Sequence, residues 1–111
     1  MLILALDTTT AQGSVALARD GSVLDELVGD PTVTHGQRLP GDVVSLLERH
    51  GLTTSLIDQY VVAVGPGSFT GLRVGIATVQ GLALANRRRV LGVSVLDAVT
   101  EVASRATIEG T

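Results

Sequence analysis

The sequence predicts one α/β domain built on a mixed five-stranded sheet. Three observations predict it. Three apolar runs joined by short turns open the chain, an amphipathic helical pattern follows, and two later apolar runs are separated by a helix-length segment. The predicted order is β-β-β-α-β-α-β-α.

Leu2 to Leu6 is an unbroken aliphatic run that ends in Asp7-Thr8-Thr9-Thr10. Val15 to Ala18 is a second run. Asp20-Gly21 after it is a strong hairpin signal, because both residues tolerate the left-handed backbone of a two-residue turn. The third run (Val23, Leu24, Leu27, Val28) is interrupted by Asp25 and Glu26 and suits an edge strand.

Leu39, Val43, Leu46 and Leu47 recur at helical spacing and form one apolar face. Pro40 then belongs in the first turn of that helix, and Gly51 after His50 closes it. Thr53, Thr54 and Ser55 are candidate caps for a short turn. Val61 to Val64 reads as a buried strand, Gly65 to Gly71 as a tight turn, and Leu72 to Ala85 as a helix apolar all round, hence covered on every side. Val90-Leu91-Gly92-Val93 reads as a second buried strand. Ser94 and Asp97 then cap a third helix, whose inner stripe is Leu96, Val99, Val102 and Ala103. Residues 1–106 make the domain and 107–111 a loose tail. Parallel strand–helix–strand units require right-handed crossovers. A mixed five-stranded sheet with a hairpin on one side is the ribonuclease H-like arrangement, also used by the actin, sugar-kinase and heat-shock ATPase superfamily.

Composition narrows the function. At 111 residues, 45% hydrophobic and 17% charged, the chain has enough apolar mass for a core. Tyr60 and Phe69 are its only aromatics, which argues against a reader of single strands by base stacking. A net charge of −3 argues against a nucleic-acid binder acting alone. The one basic cluster, Arg87-Arg88-Arg89, is read first as cations at a helix C-terminus and second as an RNA contact. The absence of lysine and cysteine removes lysine and thiolate chemistry, disulfides and zinc ribbons. The start lacks the basic flank of a signal peptide, and Leu72–Ala85 is short of the roughly 20 residues needed to span a bilayer. The expectation is a cytoplasmic protein with no membrane partner.

Asp7, at the end of the first strand, stands where this fold carries a catalytic carboxylate. No other carboxylate falls beside it, which argues against a metal-dependent nuclease, and capping of the Thr8–Thr10 turn is the simpler role. Candidate nucleotide contacts are Asp7, Thr8, Gly65, Gly67 and Ser68. For the Gly65–Gly71 segment a structural turn capped by Ser68 or Thr70 and a phosphate cradle stand equal. His35 and His50 lack the spacing of a metal pair; no metal site and no catalytic residue is assigned. Gly71, Gly75, Thr78, Gly81 and Ala85 place small residues three or four apart on the long helix. Interior glycines cost about 0.5–1 kcal/mol each, so close packing is expected, either within the domain or against a partner. On the partner reading, Gly75→Leu blocks association and leaves the domain folded.

The segments LALDTTTAQGSVAL, HGQRLPGDVVSLL, GPGSFTGLRVGIATVQGLALA and GVSVLDA, taken together, resemble the TsaB (YeaZ) family from Leu2 to about Val102. The resemblance implies two ribonuclease H-like halves, of which this chain matches the first and lacks the second. It implies a non-catalytic subunit required for N6-threonylcarbamoyladenosine (t6A) modification of tRNA, dimerised with a TsaD-type transferase and joined by a TsaE-type ATPase. tRNA would be met only indirectly, and a homodimer would form when the chain is alone. No cofactor is implied, weak ATP or ADP binding being confined to the full-length complex. TsaD-type chains carry H-x-x-x-H on the first helix, whereas His35-Gly36-Gln37-Arg38-Leu39 has one histidine, which favours the non-catalytic side. The family's partner surface comes from its first two helices, here about Arg38–His50 and Leu72–Asn86. That assigns Leu39, Val43, Leu46, Leu47, Gly71, Gly75, Thr78 and Leu82 to the interface. The alternative is an actin-like ATP-binding or ATPase domain using the Asp7 turn and the Gly65–Gly71 loop.

Overall fold

The computed structural model describes residues 1–65 and 69–94. Its elements are β1 (Leu2–Asp7), β2 (Ser14–Arg19), β3 (Ser22–Val28), α1 (His35–Glu48), a 3-10 turn (Thr54–Leu56), β4 (Gln59–Ala63), α2 (Phe69–Asn86) and β5 (Arg89–Val93). They build one sheet in the order β3-β2-β1-β4-β5. β1–β2 and β2–β3 pair antiparallel, β1–β4 and β4–β5 parallel. This is the ribonuclease H-like arrangement predicted from the element order. The third helix predicted after Ser94 lies outside the described residues.

Local chemistry explains the turns. Asp20 and Gly21 both take positive φ, 51° and 85°, the geometry of a two-residue hairpin whose twist matches its strands. The β2–β3 register shifts between Leu17 and Ala18, so β3 carries an extra residue and is a bulged edge. Gly51, at φ 65°, closes α1 by donating to Glu48 O at 3.1 Å while Leu52 donates to Leu47 O at 3.0 Å.

The core lies on one face of the sheet. Alternate residues of β1 (Leu2, Leu4, Leu6), β2 (Val15, Leu17) and β4 (Tyr60, Val62) are buried together with Leu39, Val43, Leu46 and Leu47 of α1 and Val79 and Ala83 of α2. Each such aliphatic side chain contributes about 1.5–3 kcal/mol on burial. Tyr60 closes the lower end of this core. Its hydroxyl donates to Thr54 O at 3.0 Å and accepts from Asn86 Nδ2 at 3.4 Å. Burial pushes its phenol above the ordinary value.

Three expectations are corrected. α1 begins at His35, so Pro40 sits in its second turn; the N–H it lacks would have met the carbonyl of Gly36, an exposed residue. β5 is not a buried strand: among the described residues it has one neighbour, and Val90 and Leu91 remain 39% and 49% exposed. α2 is not covered all round either. Ala77, Gln80, Gly81, Leu84 and Ala85 face outward, Leu84 at 83% exposure.

Candidate functional site

Two places gather the residues singled out from the sequence. The first is the end of β1. Asp7 Oδ1 accepts from the amide of Thr9 at 2.9 Å and from its hydroxyl at 2.6 Å, so the carboxylate caps the threonine turn, as its simpler reading had it. Thr8 is fully buried, and its Oγ1 has no hydrogen-bond partner among the described residues. It lies against Gly75 of α2: a methyl built on Gly75 would overlap Thr8 Oγ1 and come within 3.2 Å of its Cγ2.

Arg38 of α1 fixes the loop that follows. Its guanidinium, 8% exposed, donates to Ala11 O at 3.2 Å, to Gln12 O, and to Asp42 Oδ2 at 3.4 Å. A Cβ at Gly29 would overlap this guanidinium and also the backbone carbonyl of Gln12, and the carbonyl is what requires glycine there. A shallow cavity of about 410 Å³ opens nearby at the N-terminal ends of α1 and α2, lined by Ala11, Thr32, Thr34, Thr70 and Gly71 among others. Of the candidate nucleotide contacts, Asp7, Thr8 and Gly65 do not line it, and Gly67 and Ser68 lie outside the described residues. Asp7 and Thr8 are instead committed to the turn and to α2. Among the described residues, no three His, Cys, Asp or Glu side chains come together as a metal would need.

The second place is the seam between α1 and α2. There the structure redistributes the residues assigned to a partner. Leu39, Val43, Leu46 and Leu47 are core residues, pointing from α1 onto the sheet. Gly71 and Gly75 are buried on the inner face of α2, in line with Val79 and Ala83, so the small-residue stripe serves packing within the domain at that end. Thr78 and Leu82 are half-buried, and the Thr78 hydroxyl donates to Val74 O of its own helix at 2.7 Å. What opens to the outside is an apolar groove of about 400 Å³ whose rim is Pro40, Val44, Ala77 and Gly81, with Val43, Thr54, Thr78 and Leu82 below, so that Val43 belongs both to the core and to the floor of the groove. Val44 is 49% exposed. A Cβ at Gly81 would meet nothing within 4 Å.

Sequence reasoning missed Arg38, Val44 and Ala77. Val44 carried a signal: it falls one residue off the inward stripe of α1, about 100° around the helix from Val43. Arg38 carried a partial signal in Asp42, four residues on along the same helix, but the two carbonyls it also meets lie 26 and 27 residues away, beyond what spacing can reveal.

With this geometry in place, the likeness to known proteins is informative. Residues 31–109 match the family model described as TsaD, tRNA N6-adenosine threonylcarbamoyltransferase. The chain belongs to that family in its broad sense. Within it, the chain is a member of the TsaB (YeaZ) family. It is 41% identical over 105 residues to the tRNA threonylcarbamoyladenosine biosynthesis protein TsaB of Escherichia coli K12, a match covering 95% of this chain and 45% of the relative. It is 37% identical to TsaB of Haemophilus influenzae, covering 93% of this chain and 43% of that one. The solved structure of YeaZ from Pseudomonas aeruginosa superposes with a TM-score of 0.79 at 42% identity, covering 97% of this chain and 48% of that one. The chain thus spans about half the length of the relatives it matches. No helix among the described residues is long and apolar enough to cross a membrane.

Proposed function

We propose that the chain serves t6A biosynthesis as a non-catalytic subunit that docks a TsaD-type transferase through the groove between α1 and α2. The observation that carries this reading is the groove itself: an apolar trough rimmed by Pro40, Val44, Ala77 and Gly81 on two helices otherwise anchored to the sheet. Small residues at the rim let another helix approach the backbone closely, and exposed aliphatic surface gains by being covered. The interface proposed here is therefore the outer rim of both helices, with Thr78 and Leu82 at its floor, in place of the inward-facing leucines. The engagement of Asp7 by Thr9 supports a non-catalytic role, since that carboxylate already holds the turn.

On this reading a TsaE-type ATPase joins the pair, the same groove makes a homodimer when the partner is missing, no cofactor is needed, and the assembly works in the cytoplasm. The test is co-elution of the chain with a TsaD-type protein on size-exclusion chromatography, with t6A formation on tRNA assayed with and without it. Separate elution, together with modification indifferent to the chain, would sink the proposal. A second reading, nucleotide binding, draws on the 410 Å³ cavity where the N-termini of both helices meet. It predicts saturable ATP binding by calorimetry that Asp7→Asn removes through the loss of the turn.

A further inference from the structure

Within residues 1–94 charge is divided between the two halves of the sheet; residues 95–111 add three carboxylates and one arginine to reach the net charge of −3. Residues 1–58 carry eight carboxylates against three arginines, whereas residues 59–94 carry four arginines and no carboxylate. The first segment forms β1, β2, β3 and α1; the second forms β4, α2 and β5. Because the strands lie in the order β3-β2-β1-β4-β5, the two segments occupy opposite sides of the molecule, and the β5 side is wholly cationic among the described residues.

Three of those four cations are consecutive. Arg87, Arg88 and Arg89 are all exposed, and among the described residues none takes part in an ion pair. They link the end of α2 to the start of the edge strand β5. Arg87 holds φ at 55°, in the left-handed region where glycine is the usual occupant, and its amide donates to Leu84 O at 3.3 Å while that of Arg88 donates to Ala83 O at 2.9 Å. An arginine is thus kept in a backbone conformation that glycine would adopt without strain. None of the three stands in the last turn of α2, so compensation of the helix dipole is not their whole account.

We infer that the Arg87–Arg89 corner is a contact for the phosphate backbone of an RNA, a reading that rests on the proposed role in tRNA modification and replaces the indirect meeting with tRNA that the family resemblance implies by a direct one. Guanidinium groups suit phosphate because they present a planar fork of donors to its oxygens. A site of this kind is indifferent to base sequence and sensitive to salt.

The experiment is binding of a labelled tRNA to the 111-residue chain by fluorescence anisotropy between about 50 and 200 mM salt. The variants are Arg87→Gln/Arg88→Gln/Arg89→Gln and, as an exposed cation in the acidic half, Arg19→Gln. The triple variant is expected to bind at least about tenfold more weakly at the low-salt end. Its slope of log affinity against log salt should be shallower by about two, at roughly 0.7–0.9 for each phosphate no longer neutralised. Arg19→Gln should match the unaltered chain, and Arg87→Gly, which keeps the backbone turn, should show part of the weakening. Thermal unfolding of each variant separates impaired binding from impaired folding. Unchanged tRNA affinity in the triple variant, no tRNA binding by the unaltered chain, an equal weakening in Arg19→Gln, or tighter binding of labelled polyglutamate than of tRNA would each overturn the inference. Co-elution of the same variants with a TsaD-type chain is scored separately. A variant that docks normally without any tRNA effect refutes this corner alone, whereas tRNA binding without docking refutes the proposed function.

Discussion

Thr8 and Gly75 are mutually exclusive in size: any side chain at Gly75 would fall on the buried hydroxyl of Thr8, at the point where α2 crosses the end of β1. The position therefore belongs to the fold before it belongs to any partner. Gly75→Ala should destabilise by about 1–3 kcal/mol, the usual cost of overpacking. Thr8→Ala alone should cost less, because it deletes a hydroxyl with no partner among the described residues as well as a methyl. The double variant should be more stable than the sum of the two changes implies, with a coupling of about 0.5–3 kcal/mol measured by urea unfolding. Strict additivity would mean that the two residues do not touch. Gly75→Leu is accordingly expected to unfold the domain, and loss of association in that variant would say nothing about an interface.

Gly81 lies on the same helix and should behave in the opposite way. A Cβ there enters open space. Gly81→Ala should therefore stabilise the isolated chain by about 0.5–1 kcal/mol through helix propensity alone. Gly81→Arg should leave the unfolding midpoint near that of the unaltered chain and yet prevent co-elution with a TsaD-type protein, because the rim of the groove is then blocked. Normal co-elution of Gly81→Arg would remove the groove from the proposed interface.

These two glycines show what the sequence could and could not convey. The strands, both helices and the Asp20-Gly21 hairpin were legible because apolar period and turn chemistry are local properties. The small-residue spacing on α2 was legible too, but its direction was not. Gly75 and Gly81 are six residues apart, about 240° around the helix, and only the placement of β1 decides which of them is buried. The same holds for α1. Its leucine face is legible as a face, but not what covers it, since burial against the sheet and burial against a partner demand the same residues. β5 was misread because a short aliphatic run does not reveal how many neighbours its strand has.

Arg87 offers a test of backbone strain independent of packing. Its φ of 55° and the two bonds that close α2 make it the left-handed residue of the helix terminus. Arg87→Gly should raise stability by about 0.5–1 kcal/mol, read as a higher urea midpoint at unchanged slope. A lower midpoint would show that the arginine side chain, exposed as it is, makes a contact the fold depends on.

Asp25 predicts how the edge of the sheet responds to acid. Its carboxylate, on β3, accepts from His50 Nε2 at 3.1 Å and from Arg49 Nη1 at 3.1 Å, both at the end of α1, and from the amide of Glu26 at 2.8 Å. The hydrogen bond with His50 is the largest of the influences that hold Asp25 below the ordinary carboxylate range; the Glu26 amide and Arg49 add to it, and partial desolvation opposes them. A carboxylate with a depressed value in the folded state contributes stability that is complete above its unfolded value, about 3.9, and lost as the pH falls through the folded one. The tie between β3 and α1 should therefore hold at neutral pH and loosen below about pH 4. Amide exchange along Ser22–Val28 should quicken in that window before the β1–β4 pair is affected, because β3 is the edge and β1 and β4 are interior. In Asp25→Asn the β3 amides should exchange faster already at neutral pH, with little further change on acidification. An acid-induced loosening of β3 that persists undiminished in Asp25→Asn would assign the effect to another carboxylate.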